Sequence, residues 1–562
     1  MPWPVCALIR RPWRGSCVLP PMVRELLGYP ARIGRTDITP PPQGLVDYIA
    51  HDTLPRVSLS RNIIAGTCQE KIYAGNQPAL QAACERYLTS GAFSVIFPLS
   101  LKSYGTARSE SVSNPSKEGE GTMNILLIGN GAREHVIAET LLHSRHAPRV
   151  FSYMKSNNPG IADLSTEIHV GGYNDLHAIV RFAKKADAAF AIIGPEDPLN
   201  NGVADALEAV GIASVGPNKD CARLETSKIF TRDLLRKYGI SGNPRFETFS
   251  SMDGVRDFIG ELDGVVLKPD GLSGGKGVLV QGDHFQTSEE ALARCEAMIA
   301  EYGRIIVEER LDGEEFSLQC LCDGTTVLPM PPVQDHKRRF VGDSGPNTGG
   351  MGSYSQEDHL LPFMTQEDAE RGRAITEQVA AAIYRETGHL YKGVMYGGFI
   401  ITRDGVKLLE YNARFGDPEA MNVLPLLKTD FVDLCRAVID GTLHTLDGVF
   451  ENKATVCKYV VPKGYGLPPD HPDAQSTAAK IEVADVRDVN LYYASVDKRD
   501  DGLYMSTSRA VGIVGIAEDL PTAESLAERA VTAIHGPVDH RSDIGTTPLI
   551  QKRIEHMRRL RA

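Results

Sequence analysis

Tryptophan is almost absent from this chain: its 562 residues hold two, Trp3 and Trp13, and none follows them. Long apolar runs are missing too. No stretch reaches the roughly 18 apolar residues of a membrane-spanning helix, so none is expected. The longest apolar runs, such as 190–194, have the length of buried strands. The ten cysteines form no CxxC pair matched by a second, which argues against a zinc site and for reduced thiols in a cytoplasmic protein. Cys320 and Cys322 alternate on a predicted strand and so share a face. A basic excess is missing from most of the chain. The net charge is −12, yet residues 1–122 carry +4, which leaves −16 for the rest. An acidic body disfavours nucleic acid as the main partner, while anionic small molecules need only a few local donors. No internal repeat is visible.

What is present divides at Met123. Residues 1–122 hold both tryptophans, clustered prolines (Pro2, Pro4, Pro12, Pro20, Pro21, then Pro40, Pro41 and Pro42) and little hydrophobic periodicity. Arg10, Arg11 and Arg14 lack a following apolar segment before Pro20, a poor fit to a signal peptide. The stretch 109–122 reads as a linker. Its Lys117-Glu118-Gly119-Glu120-Gly121 can be encoded almost purely by purines, like a ribosome-binding site translated as protein. The expectation is a natural start at Met123, with 1–122 disordered or an artefact of the gene model. An intact mass of the natural protein that included them would refute it.

From Met123 strands and helices alternate: strands at 124–128, 150–153 and 188–193, helices at 134–142, 176–185 and 203–210. Such alternation predicts a doubly wound parallel sheet over 123–222, with ligands at the carboxyl ends of its strands. From about Thr226 the pattern changes. An amphipathic helix at 228–238 precedes a strand at 264–269, a glycine-rich turn, a strand at 277–281, a helix at 289–302 and a strand at 304–309. This second domain is expected to span 223–440 and to close with a helix at 431–440. Strands at 456–461 and 511–517 and a helix at 523–534 suggest a small α+β domain over 441–562.

Several motifs carry chemistry. Gly129-x-Gly131 after the first strand lacks the third glycine of a dinucleotide fingerprint, and no acid ends the next strand. It leaves open a nicotinamide site, another phosphate site or a tight turn. Lys268-Pro-Asp-Gly271-Leu-Ser-Gly274-Gly275-Lys276-Gly277 places lysines around a flexible loop between two strands, suited to polyphosphate. No Ser or Thr follows Lys276, so it is not a Walker A loop. Glu308, Glu309, Arg310 and Glu315 sit near a strand end, where acids can accept from an adenine amino group or ribose hydroxyls; a solvated acidic face remains open. Glu410-x-Asn412 sets two oxygen ligands on one face of a strand, suited to a divalent cation, and Arg414 follows at the same spacing. Gln334-Asp335-His336-Lys337 and the glycine-rich stretch 343–352, with Asn347 and Gly349, fit a mobile substrate lid or a flexible surface loop.

The lysine–glycine loop, the strand-end acids and Glu-x-Asn, in that order, resemble the ATP-grasp fold. Within it, Gly129-Asn-Gly-Ala-Arg-Glu-His135, Gly194-Pro-Glu196, Gln334-Asp-His-Lys337, Gly345-Pro-Asn-Thr-Gly-Gly-Met-Gly352 and Arg414-Phe-Gly-Asp-Pro-Glu419 resemble the phosphoribosylamine–glycine ligase family. The resemblance runs from Met123 to about Gly545. Ala132, Pro269 and Tyr411 depart from the family's commoner residues without removing a proposed ligand, and the stretch 457–464 resembles archaeal members more than bacterial ones.

The resemblance implies an α/β protein: an ATP-grasp core preceded by a doubly wound domain and followed by a small α+β closing domain. It implies ligation of glycine to 5-phosphoribosylamine through glycyl phosphate. It implies ATP as substrate, Mg²⁺ or Mn²⁺ on Glu410 and Asn412, no nucleic acid or membrane partner, and a monomer or homodimer. ATP would be held by Lys228, Lys268, Gly274, Gly275, Lys276, Gly277, Glu308, Glu309, Arg310 and Glu315. The sugar phosphate and glycine would be held by Gly129, Gly131, Arg133, Glu134, Glu196, Asp335, Lys337, Asn347, Gly349, Arg414 and Asp417. Arg414 and Lys268 would be catalytic, and no general base is required. Alternatives are another ATP-grasp ligase or carboxylase using bicarbonate, and a nucleotide-binding module without catalysis.

Overall fold

The computed structural model describes residues 123–272, 277–468, 470–474 and 478–562. The expectations for 1–122 and for Gly274, Gly275 and Lys276 lie outside these residues.

The first sheet is all parallel. Strands β1 (Asn124–Ile128), β2 (Arg149–Met154), β3 (Glu167–Val170), β4 (Phe190–Ile193) and β5 (Ala213–Val215) lie in the order β3-β2-β1-β4-β5. Helices cover the sheet, so β1 and β4 are buried at every position, which is why their sequences are continuously apolar rather than alternating. Strand order reverses between β1 and β4. The turn at Gly129 and the Gly194-Pro195-Glu196 corner therefore face one crevice.

Two antiparallel sheets follow. The first, β6-β9-β7-β8, joins Phe246–Phe249, Ile305–Glu309, Val265–Pro269 and Leu279–Val280. It has its own core, in which Val265, Leu267, Ile305 and Val307 meet Ala291, Cys295 and Met298 of the helix Ser288–Tyr302. That helix starts where Thr287 and Glu290 form a capping box. The second sheet, β11-β10-β16-β17, joins Val327–Pro329, Glu314–Cys322, Gly393–Thr402 and Gly405–Asn412, backed by the helix Gln366–Thr387. Cys320 and Cys322 are buried free thiols on β10.

A third sheet, β12-β15-β18-β23-β20, draws β12 (Gln334–Asp335) and β15 (Gly352–Ser355) together with β18 (Ala454–Pro462), β20 (Asn490–Tyr493) and β23 (Val511–Ala517). The segment expected as a mobile lid is thus built differently. Residues 334–355 form two sheet strands flanking the hairpin β13–β14 (Arg338–Phe340, Ser344–Asn347). The buried Arg339 anchors the hairpin to the carbonyls of Lys463 and Tyr465 and to Asp539, and Asp343 pairs with Arg541 at 3.0 Å and with Arg553. These partners lie more than a hundred residues away, which is why local composition read as a free loop. The helix expected at 523–534 runs Leu520–Val531, because Asp519 caps it and Pro521 suits its first turn.

Candidate active site

The site is built around Glu410 and Asn412 at the end of β17. Between Leu408, opposite Phe399, and Glu410, opposite Gly398, the register slips by one, and Leu409 has no partner across the ladder. Its carbonyl accepts from Lys268 Nζ at 3.1 Å and from Arg232 Nη2 at 2.8 Å. The Glu410 carboxylate has no hydrogen bond or ion pair among the described residues. Burial opposes its ionisation, but Lys337, Lys268, Lys228 and Arg414 outweigh burial and hold its carboxyl below the usual range. An ionised carboxylate without a partner among the described residues, ringed by cations and two residues from the Asn412 amide, fits a divalent cation bound with phosphates. Asn412 Oδ1 meets Arg414 Nη2 at 3.2 Å.

Arg414 joins two domains. Its guanidinium lies 3.0 Å from Glu225 and 3.5 Å from Glu196. Burial opposes the Glu196 charge, yet Arg414 and then Arg133 hold its carboxyl down to about 2. Lys228, the first residue of its helix, donates to the Gly271 carbonyl at 2.7 Å, just before the glycine loop. Gly277 lies at the far end of that loop, and among the described residues no hydrogen bond or ion pair ties it to the cluster.

Glu308 is paired inside the protein. Its two oxygens take Arg232 Nε at 2.6 Å, Arg232 Nη2 at 3.0 Å and Lys268 Nζ at 2.8 Å, and the side chain is buried. Burial works against the charge, but Arg232 and Lys268 hold the carboxyl down to about 2. Glu308 supports Lys268, with both of its oxygens engaged inside the protein. Glu309 points the other way along β9 and accepts from the Arg245 N–H at 2.8 Å. Arg310 donates to the Gln281 carbonyl at 3.1 Å, next to β8. Glu315 is half-exposed and lies 3.5 Å from Lys337. Lys337 thus faces an acceptor on β10, and Arg310 one just after β8.

Asp335 carries a buried Oδ1 without a hydrogen-bond partner among the described residues. Burial, then the Glu419 charge, pushes its carboxyl well above the carboxylate range. Gly349 donates to Tyr465 Oη at 3.1 Å and accepts from Arg509. Asn347 stands apart, on a cleft of about 1070 Å³ between the hairpin, the β8 turn and the loop 464–468. None of the cation cluster around Glu410 lines that cleft, so its size does not mark the chemistry.

The Gly129 turn is also occupied inside the protein. Glu134, 1% exposed, folds back into it: Oε2 takes the Gly131 N–H at 2.5 Å and Oε1 takes Arg133 Nε at 2.5 Å. A Cβ at Gly129 or Gly194 would overlap this side chain. Gly129, at φ +137°, therefore makes room for Glu134. Gly131, Arg133 and Glu134 do border a second cavity of about 210 Å³, together with Lys155, Asp417 and Arg509. Asp417 accepts from Tyr459 Oη and lies 3.3 Å from Arg509. Arg232, Glu225, Tyr459 and Arg509 carried no signal in the sequence. Each is a single polar residue outside any motif.

A lysine on β7, a glycine loop, and a carboxylate and amide at the end of β17, set between two antiparallel sheets, define an ATP-grasp ligase. The family comparisons agree: the N domain of phosphoribosylglycinamide synthetase matches residues 123–225, its ATP-grasp (A) domain 226–420 and its C domain 455–547. The phosphoribosylamine–glycine ligase of Methanosarcina barkeri is 47% identical over 439 residues, covering 78% of this chain and 100% of that protein. That of Methanocaldococcus jannaschii is 47% identical over 448 residues, covering 78% and 100%. The crystal structure of the Thermotoga maritima enzyme of the same name superposes with a TM-score of 0.63 at 26% identity, over 75% of this chain and 100% of that one. This chain belongs to the phosphoribosylamine–glycine ligase family.

Proposed function

We propose that this chain uses ATP to join glycine to 5-phosphoribosylamine, giving glycinamide ribonucleotide, ADP and phosphate, as a step of purine synthesis. The observation that carries the reading is the Glu410 carboxylate, unpartnered among the described residues and ionised among Lys228, Lys268, Lys337 and Arg414. The identity to phosphoribosylamine–glycine ligases along the whole of their length supports the choice of substrates.

The glycine carboxylate oxygen attacks the γ-phosphorus of ATP, and the bond to the ADP oxygen breaks. The amine nitrogen of phosphoribosylamine then attacks the carbonyl carbon of glycyl phosphate, expels phosphate and releases its proton. Lys228 and Lys268 hold phosphate oxygens of the nucleotide. Glu410 and Asn412 would hold Mg²⁺ or Mn²⁺, which supplies charge neutralisation at the transferred phosphoryl group when bound. Arg414 balances charge on the acyl phosphate oxygens. Glu309, Arg310 and Glu315 border the nucleoside. Gly131, Arg133, Lys155 and Arg509 border the place for the sugar phosphate, whose charge suits three cations in a small cavity. Asp335, Lys337 and Gly349 lie between the two. Closure over the nucleotide excludes water, which would otherwise hydrolyse glycyl phosphate.

The test is ADP release by the purified protein with ATP, Mg²⁺ and freshly made phosphoribosylamine. Release that requires glycine supports the reading. Release that requires bicarbonate, or no release, overturns it.

A further inference from the structure

Arg232 lies on the helix Lys228–Lys237, four residues beyond Lys228, and looks in sequence like an ordinary solvated helix arginine. In the fold it is 3% exposed. All five of its N–H donors are used. Nε and one Nη2 hydrogen go to Glu308, at 2.6 and 3.0 Å. The other Nη2 hydrogen goes to the Leu409 carbonyl at 2.8 Å, and Nη1 serves the Leu408 carbonyl at 3.0 Å and Asn243 Oδ1 at 3.3 Å. The two main-chain acceptors lie where β17 slips register beside Glu410. The carboxylate acceptor is the one that holds Lys268 Nζ at 2.8 Å. Lys268 in turn shares the Leu409 carbonyl with Arg232, at 3.1 Å.

We propose that Arg232 is a positioning residue for the ligation: one guanidinium locks β9, the irregular turn of β17 and, through Glu308, the ammonium of Lys268 into the arrangement that receives the nucleotide phosphates. The planar five-donor fork spans acceptors on both sheets of the ATP-grasp domain. A lysine has three donors on one atom and cannot reach them all. Glu308 is the relay. Because its second oxygen is shared between Arg232 and Lys268, the direction of the Lys268 ammonium is set by the guanidinium. This rests on the reading that Lys268 contacts ATP.

The experiment compares Arg232→Lys, the pair Arg232→Met with Glu308→Gln, and Lys268→Ala. Steady-state kinetics for all three substrates and thermal midpoints are measured on each. Arg232→Lys keeps the buried charge, and the paired variant removes both the guanidinium and the carboxylate it balances, so both are expected to fold. Both should raise KM for ATP about tenfold, the scale of a lost charge-assisted hydrogen bond, while KM for glycine stays near the parent value. Parent-like KM for ATP in either folded variant, or an equal rise in all three KM values, overturns the proposal. Lys268→Ala separates the two readings. If it leaves KM for ATP unchanged, the role of Lys268 falls and takes the positioning role with it. If it raises KM while the Arg232 variants do not, only the positioning role falls.

Discussion

Arg414 Nη2 lies 3.0 Å from Glu225 Oε1, and the second oxygen of Glu225 accepts the Ala413 N–H at 2.7 Å. A carboxylate on the short helix Arg223–Thr226 thereby grips both the backbone and the side chain at the end of β17. The same guanidinium faces Glu196 on the first domain, so the parallel-sheet domain and the end of β17 meet at one side chain.

Replacing Arg414 by lysine keeps a charge but not the fork that spans Glu225, Glu196 and Asn412. Arg414→Lys is expected to lower kcat about 100-fold with an intact fold. Glycine-dependent ADP release checks the rate, and circular dichroism checks the fold. Loss limited to a few-fold would show that a point charge suffices.

Glu410→Ala removes a carboxylate ringed by four cations. Turnover is expected to drop at least about 100-fold, with the apparent affinity for Mg²⁺ weakened as well. A metal titration of activity measures both. Near-normal turnover would refute the assignment of Glu410 to the metal.

Gly194→Ala places a methyl group where Glu134 folds back. The buried Glu134 must shift, or the corner after β4 must open. The expected loss is about 1–3 kcal/mol of stability, with a lower thermal midpoint. Since Glu134 also borders the small cavity, KM for phosphoribosylamine should rise. An unchanged midpoint would show that the turn has room to spare.

His135 is buried, and its Nδ1 accepts the Tyr493 N–H at 2.9 Å, joining the first domain to β20. Burial lowers its pKa from 6.5 to about 4. Between these values the unfolded chain binds the proton and the folded chain does not, so stability rises with pH across that window and is lost as pH falls through it. The expected loss on going from pH 7 to pH 4 is about 3 kcal/mol from this residue. His135→Gln keeps an acceptor but cannot titrate. Urea unfolding of the two proteins at several pH values should show a shallower slope in the variant.

Much of the fold was legible because each cue is local. Continuous apolar runs marked β1 and β4, and amphipathic spacing marked the helix that begins at Lys228. Lys268, Glu410 and Asn412 stand out as candidates for the same reason: polar residues break into apolar strands at fixed spacing. The pairing of Glu308 with Arg232 is not legible locally, because a strand-end acid looks the same whether it faces solvent or a buried arginine 76 positions earlier in the chain. The stretch 334–355 was misread because its glycines suggest freedom, whereas its anchors, Lys463, Asp539, Arg541 and Arg553, arrive late in the sequence.

The sequence by itself determined the order of the domains and the ligase family, since these are written in contiguous motifs. Tertiary structure alone decided what each charged group does. Antiparallel pairing of β7 with β9 sets Lys268 against Glu308, and the slipped register at Leu409 offers a carbonyl to Lys268 and Arg232. Strand reversal between β1 and β4 brings the Glu134 turn beside Glu196 and hence Arg414. A buried charge must find partners wherever the fold supplies them, and those partners come from elements that adjoin in space, not in sequence.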